Sequence, residues 1–240
     1  LTYCAVYGVG DLLYGQSGIN NKKDEYKNTT SFIATFLNNK IRLNGDFTFK
    51  KNSLERTTKQ VRTPYAKSVN NDNTSKIEYI AGIRSNIAET VRNTRYLATN
   101  IYAEYEETFN ELHYFKGMVG WNYEKENAKQ IFSYNDDLLT DEVENINLAM
   151  GTDNKNITSS WNAYQFAGAF FRFNYSYDNR YLFEVNGRYE GSSRFPENHR
   201  WAFFPSASMG WRLSEEHFWK VNPNVMSNVK LRGSYGQLGN

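Results

Sequence analysis

The sequence predicts an all-β chain built from the antiparallel strands of a transmembrane β-barrel. Three observations carry this reading. Large aromatic residues recur on one parity of successive extended runs, with polar residues on the other, which is the period-two signature of a strand with two unlike faces. Most of the runs are about 9–13 residues long, near the ~9–11 that a tilted membrane-crossing strand needs and longer than the ~5–6 of ordinary sheets. The connections between runs sort by length, short on one side of the sheet and long on the other.

Composition agrees with this class and excludes others. The chain has 240 residues, with 28 Lys+Arg against 26 Asp+Glu and a net charge of +2. That balance lacks the basic excess of a nucleic-acid footprint. Mean hydropathy is −0.72, and no run approaches the ~18 apolar residues of a spanning helix. A membrane barrel is compatible with both facts, because its alternating strands average out in any hydropathy window. It also accounts for 18 Tyr, 16 Phe and 5 Trp in a chain with 4 Pro. Cys4 stands alone, so neither a disulfide framework nor a thiolate zinc site arises within the chain. Leu1 is not an initiator Met and no signal peptide is recognisable, so the sequence reads as an internal piece.

About nine strands are expected, near 1–10, 29–37, 41–50, 94–106, 112–125, 163–177, 180–190, 201–213 and 228–238. In 41–50, Ile41, Leu43, Phe47 and Phe49 oppose Arg42, Asn44, Asp46, Thr48 and Lys50. In 113–125 the outward set is Phe115, Val119, Trp121 and Tyr123. In 169–177, Phe171, Phe173, Tyr175 and Tyr177 alternate with Arg172, Asn174 and Ser176. Asp178-Asn179 then supplies a two-residue turn that tolerates positive φ, and 180–190 resumes with Tyr181, Phe183, Val185 and Tyr189 against Glu184, Asn186, Arg188 and Glu190. In 201–213 the set is Phe203, Ala207, Met209, Trp211 and Leu213, and in 228–238 it is Val229, Leu231 and Tyr235.

The links 38–40, 107–112, 178–179 and 214–227 fall on one side, and 11–28, 51–93, 126–162 and 191–200 on the other. Short turns opposite long loops is the layout of an outer-membrane barrel, periplasmic and extracellular respectively. Nine strands in an open sheet would leave two unpaired edges, which lipid does not tolerate. Residues 1–240 are therefore expected to be part of one larger barrel domain. "SEEHFW" at 214–219 reads as a helical turn with Ser214 as N-cap, sealing the periplasmic rim.

The tail carries a resemblance. "GSSRF" at 191–195, "RWAFFPSASMGWRLSEEHF" at 200–218 and "NVKLRGSYGQLGN" at 228–240 resemble the signature block of the SusC/RagA family of TonB-linked outer-membrane transporters. "NYSYDNRYLFEVNGRYEGSSRF" at 174–195 fits the same block, "YAEYEETFNELHYFKGMVGWNYEKE" at 102–126 resembles the preceding hairpin, and "NGDFTFK" at 44–50 fits more loosely. The resemblance implies a 22-stranded barrel with an N-terminal plug, a cell outer-membrane location in Bacteroidetes-type bacteria, and energy from TonB through a region not in this chain. It implies a SusD-like lipoprotein partner acting as a lid, and import of an oligosaccharide or peptide solute. The plug and the remaining barrel strands are expected outside these residues.

Site residues are sought on the polar parity and in the loops. Arg172, Glu184, Arg188 and Glu190 fall on the lumen-facing parity, where charges steer solute or cross-pair to keep the wall hydrated. Tyr134, Asp136 and Asp137, in the acidic loop 126–162 with Asp141, Glu142 and Glu144, are further candidates for solute or partner contact. Their spacing does not match an EF-hand. The aromatic stripe of Phe171, Phe173, Tyr175, Tyr181, Phe183 and Trp211 is read as lipid-facing rather than as a sugar platform. His113, His199 and His217 lie in separate segments, no metal or cofactor is expected, and neither a nucleophile elbow nor a phosphate loop is present. The chain is not expected to be an enzyme. Two other readings stand beside uptake of glycan or peptide: a TonB-dependent siderophore or cobalamin receptor, and an all-β surface adhesin or carbohydrate-binding module.

Overall fold

A computed structural model describes residues 16–62, 64–69, 75–79, 84–140, 142, 144–222 and 224–237. Ten strands are described: β1 Gly18–Phe36, β2 Ile41–Gln60, β3 Pro64–Val69, β4 Ser75–Tyr79, β5 Asn86–Phe109, β6 His113–Asp136, β7 Asn156–Tyr177, β8 Tyr181–Ser192, β9 Trp201–Arg212 and β10 Lys230–Gly236. Eight form one sheet in the order β1-β2-β5-β6-β7-β8-β9-β10, and β3 and β4 form a separate antiparallel hairpin. The all-β antiparallel class expected from the alternation is what the chain adopts.

The tight turns follow from residue type. Asp178 (φ 48°) and Asn179 (φ 54°) close β7 onto β8, and Arg180 N–H donates to Tyr177 O at 2.9 Å. Two left-handed residues match the twist of a hairpin, and Asp and Asn are among the few side chains that tolerate them. Asn38, Asn39 and Asn110 play the same part between β1 and β2 and between β5 and β6, in the company of Leu37 (φ 52°) and Glu111 (φ 59°).

Two expectations are corrected. The strands run much farther than the apolar alternation: β2 continues to Gln60, β5 begins at Asn86, β6 continues to Asp136, and β1 and β7 begin at Gly18 and Asn156. Much of what reads as the loops 11–28, 51–93 and 126–162 is therefore strand, and 51–93 also contains the β3–β4 hairpin. The physical reason is that ladder hydrogen bonds propagate wherever a partner strand continues, whereas apolar side chains are required only where one face is apolar. Ser214 is not an N-cap; it lies inside a single 3-10 turn, Leu213–Glu215, whose N-cap Arg212 makes no side-chain cap bond. The strand expected over 1–10, like Asp141, lies outside the described residues.

The chain divides into two units. One comprises Leu1–Tyr26, Lys51–Arg95 and Asn127–Asn162. Its small apolar core joins Ile87, Leu138 and Ala149, with Ile146 packed against them. The loop after β6 folds back onto itself through a bridge between Leu138 and Ala149. Leu139 N–H donates to Leu148 O at 2.8 Å and Met150 N–H to Asp137 O at 2.9 Å. Ser85 anchors this loop by accepting from Asp137 N–H at its carbonyl (2.7 Å) and from Leu138 N–H at its hydroxyl (2.9 Å).

The other unit comprises Lys27–Lys50, Tyr96–Glu126 and Ala163–Asn240. Here registers fix the faces. Phe171 pairs with Gly187, Phe173 with Val185, Tyr175 with Phe183 and Tyr177 with Tyr181; β9 sets Trp211 against Tyr181, Met209 against Phe183 and Phe203 against Tyr189. Phe171, Phe173, Phe183, Val185, Phe203 and Met209 are exposed on this face. An apolar patch of this extent is not left to water. Its aromatic ends are ordered into stacks: Tyr177 on Tyr181 and Tyr181 on Trp211 at one end, and Tyr189 on Trp201 at the other. Trp211 and Trp201 are ten residues apart on β9, about 33 Å of extended chain, which a tilt of about 40° projects to about 25 Å, the height of a barrel's apolar band.

Candidate functional site: the polar face of the sheet

The opposite parity of the same strands makes a continuous polar surface. Arg172 faces Asn186 and Asn174 faces Glu184 across β7 and β8; Glu184 faces Ser208 and Asn186 faces Ser206 across β8 and β9. Asn186 is the hub. Its Oδ1 accepts from Arg172 Nε at 2.7 Å, and its Nδ2 donates to Glu184 Oε1 at 2.9 Å and to Ser206 Oγ at 3.4 Å. Arg188 forms an ion pair with Glu190 on the same strand.

These groups line two shallow depressions. Arg188 and Glu190 contribute to one of about 630 Å³, together with Phe166, Phe195, His199, Arg200 and Phe204. Arg172, Asn186 and Arg188 contribute to one of about 320 Å³, together with Asn100, Met118, Asn122 and Phe170. Both combine fixed donors with aromatic or apolar walls, a mixture suited to orienting a polar solute.

Sequence reasoning missed a second cluster. Arg42 and Lys116 share the carboxylates of Glu104 and Glu106: Arg42 reaches Glu104 at 3.7 Å and Glu106 at 3.1 Å, and Lys116 reaches them at 3.4 and 3.5 Å. Tyr114 Oη donates to Glu106 at 3.0 Å. The signal was present, because all five fall on the polar parity of β2, β5 and β6, but only the order β2-β5-β6 shows that they meet. Asn100 donates to Asp46 at 3.0 Å on the same face.

The loop candidates separate in role. Asp136 is 1% exposed. Its Oδ2 accepts from Asn154 Nδ2 at 2.6 Å and lies 3.6 Å from Arg84. Asp137 is exposed, has φ 56° and meets the same guanidinium at 3.3 Å. Both carboxylates thus tie the loop to Arg84, two residues before β5. Tyr134 is half-buried in β6. Among the described residues, no group of three His, Cys, Asp or Glu is placed to hold a metal ion.

Beside the apolar face, just past β9, Glu216 accepts from Trp211 Nε1 at 2.8 Å and Tyr181 Oη at 2.7 Å, and pairs with Arg180 at 3.3 Å. The Trp211 indole and the Tyr181 hydroxyl hold its carboxyl below the usual range. On the turn between β1 and β2, Lys40 donates to Glu107, which raises the ammonium above its ordinary value.

Comparison with known proteins agrees with this architecture. The family described as TonB dependent receptor-like, β-barrel matches residues 6–239. The chain is 32% identical over 160 residues to TonB-dependent receptor P3 of Formosa agariphila, covering 67% of this chain and 16% of that protein. It is 50% identical over 70 residues to TonB-dependent receptor SusC of Bacteroides thetaiotaomicron, covering 29% of this chain and 7% of that protein. The structure of the RagAB peptide transporter superposes with a TM-score of 0.77 at 18% identity, over 93% of this chain and 23% of that one, and so shares its fold. The chain therefore spans about a sixth of the length of the curated receptor P3. With the alternating faces, the strand order and the family match together, the chain belongs to the TonB-dependent receptor-like β-barrel family.

Proposed function

We propose that residues 1–240 form a stretch of the wall of one outer-membrane barrel domain, whose other strands and plug lie elsewhere in the protein. The whole protein imports an oligosaccharide or a short peptide, energised by TonB and assisted by a SusD-like surface lipoprotein. The observation that carries this reading is the pairing of two unlike faces on the same strands. An apolar face bordered by stacked aromatic rings suits lipid, and its reverse is a hydrogen-bonded polar wall centred on Asn186. The wall would guide solute without chemistry on it. The fold shared with a peptide transporter supports the peptide class, and the oligosaccharide class rests on the resemblance of the tail block to the SusC/RagA family.

The test is uptake by cells carrying the full-length gene or its deletion, with labelled oligosaccharides and labelled peptides supplied separately. The expected result is gene- and TonB-dependent entry of one class. Equal uptake in the deletion strain, or entry of an iron chelate or cobalamin alone, overturns the reading.

A further inference from the structure

Period two gives β7, β8 and β9 a polar parity, and aromatic rings break that pattern beside the Arg188–Glu190 ion pair. Across the ladder, Glu190 is flanked by Gly168 on β7 and Ala202 on β9, both small. Two residues along the same strands stand Phe166 on β7 and Phe204 on β9, both half-buried. Phe195, from the segment between β8 and β9, adds a third ring. Small residues between larger rings leave the depression of about 630 Å³ described above, within the size range of small-ligand sites. All of these residues belong to one of the two units.

The lining holds two guanidiniums, Arg188 and Arg200, against one carboxylate, so one positive charge is uncompensated. Glu190 is taken by Arg188. Arg200 is fixed in place without being neutralised. Its Nε donates to Phe195 O at 3.2 Å. It also lies 3.8 Å from Glu197, whose side chain is 83% exposed, and an exposed pair of that kind contributes little. Among the described residues Arg200 forms no other hydrogen bond or ion pair. Its remaining donors form a planar fork that matches a carboxylate. The lining has no Asn or Gln. A sugar ring carries hydroxyls around its edge, and those set against Phe166, Phe195 and Phe204 would lose water without gaining a partner. An apolar side chain has no such groups to satisfy.

We infer that this depression is a subsite for the C-terminal end of a peptide, taking a bulky apolar last side chain between Phe166 and Phe204 and its free carboxylate on Arg200. The subsite rests on the importer reading above, and names within it the peptide class and the end of the peptide that the wall selects. It lies at the end of β8 and β9 away from the Asp178-Asn179 turn. In such a barrel that end is the outer side, where solute enters.

The experiment uses the full-length protein, extracted in mild detergent with any lipoprotein that co-purifies, as wild type, Arg200→Gln and Phe204→Ala. Fluorescence anisotropy reads the affinity for N-terminally labelled hexapeptides that end in Phe with a free carboxylate, in Phe with an amide, or in Ser with a free carboxylate. A labelled oligosaccharide ending in a uronate, which offers the same carboxylate on a sugar, is the fourth probe. Wild type is expected to bind the Phe acid about tenfold more tightly than the Phe amide or the Ser acid, the effect of one charge-assisted contact or one buried ring. Arg200→Gln is expected to lose the preference for acid over amide. Phe204→Ala is expected to keep that preference and lose the one for Phe over Ser. Each comparison is a ratio within one protein, so partial loss of folded material cancels. Equal binding of acid and amide by wild type, an acid preference kept by Arg200→Gln, no binding of the Phe acid, or tighter binding of the uronate overturns the subsite. Uptake by cells with and without the gene separates this from the broader reading. Gene-dependent entry of acid and amide at equal rates overturns the subsite alone, whereas equal entry of every probe into deletion cells overturns the proposed function as well.

Discussion

The Phe171 ring lies over Gly187, its directly opposite partner in the β7–β8 ladder. A Cβ on Gly187 would overlap Phe171 Cε1 and stand 2.6 Å from Cζ and 3.0 Å from Phe203 Cε2. Trp201 over Gly191 and Phe32 over Gly45 repeat the arrangement. In each, a large ring on the apolar face shields the bare backbone of a glycine.

Gly187→Val is therefore expected to destabilise the barrel by about 1–3 kcal/mol through overpacking. Gly187→Ala should cost less, and less again in a Phe171→Ala background, because the obstructing ring is gone. Denaturation of the full-length protein in detergent, run as a double-mutant cycle, measures this coupling. Additive effects would show that the ring is not what constrains the glycine.

The loop after β6 depends on one buried carboxylate. Asp136→Ala removes the acceptor for Asn154 and one partner of Arg84, and should weaken that loop locally by about 1–3 kcal/mol. Gly151→Ala should act in the same direction, since its Cβ would overlap the Asp136 carboxylate and approach the Asp136 carbonyl oxygen to 2.8 Å. Faster hydrogen exchange confined to residues 137–155 is the expected readout.

Glu216 gives the fold a sensitivity to acid. Its carboxyl is held below the ordinary range by Trp211 and Tyr181, so its contribution is fully present above the pKa of an unfolded glutamate, about 4.3. That contribution is lost as pH falls through the lower folded value. The thermal midpoint should therefore drop more steeply below about pH 4 in wild type than in Glu216→Gln. Parallel pH profiles of the two would remove this assignment.

Solute handling should respond to the hub of the polar face. Asn186→Ala deletes the partner of Arg172 and Glu184 together. One hydrogen bond to a charged group is worth about 1.5 kcal/mol, or about tenfold in affinity. Uptake at low solute concentration should fall by about that factor with the surface level of the protein unchanged. Unaltered uptake would assign the network to wall hydration alone.

How much of this was legible depends on range. The alternation of Phe171, Phe173, Tyr175 and Tyr177 with Arg172, Asn174 and Ser176 was readable because a strand's two faces are a local property of period two. The Asp178-Asn179 turn was readable because left-handed φ restricts residue type locally. Arg172, Glu184, Arg188 and Glu190 were placed on one face by the same rule. The Arg42–Glu104–Glu106–Lys116 cluster was not assembled, because its members come from three strands and meet only through pairing.

The sequence by itself determined the all-β class, the two faces, the tight turns and, through the block at 174–240, the family. Tertiary structure alone decided how far the strands run past their apolar stretch, that Asp136 is buried while Asp137 is not, and that Glu216 rather than Ser214 organises the segment after β9. The reason is physical. Parity and turn geometry are settled among residues a few positions apart, whereas burial and cross-strand partners depend on register between strands tens of residues apart, which the ladder of hydrogen bonds sets only once the strands have met.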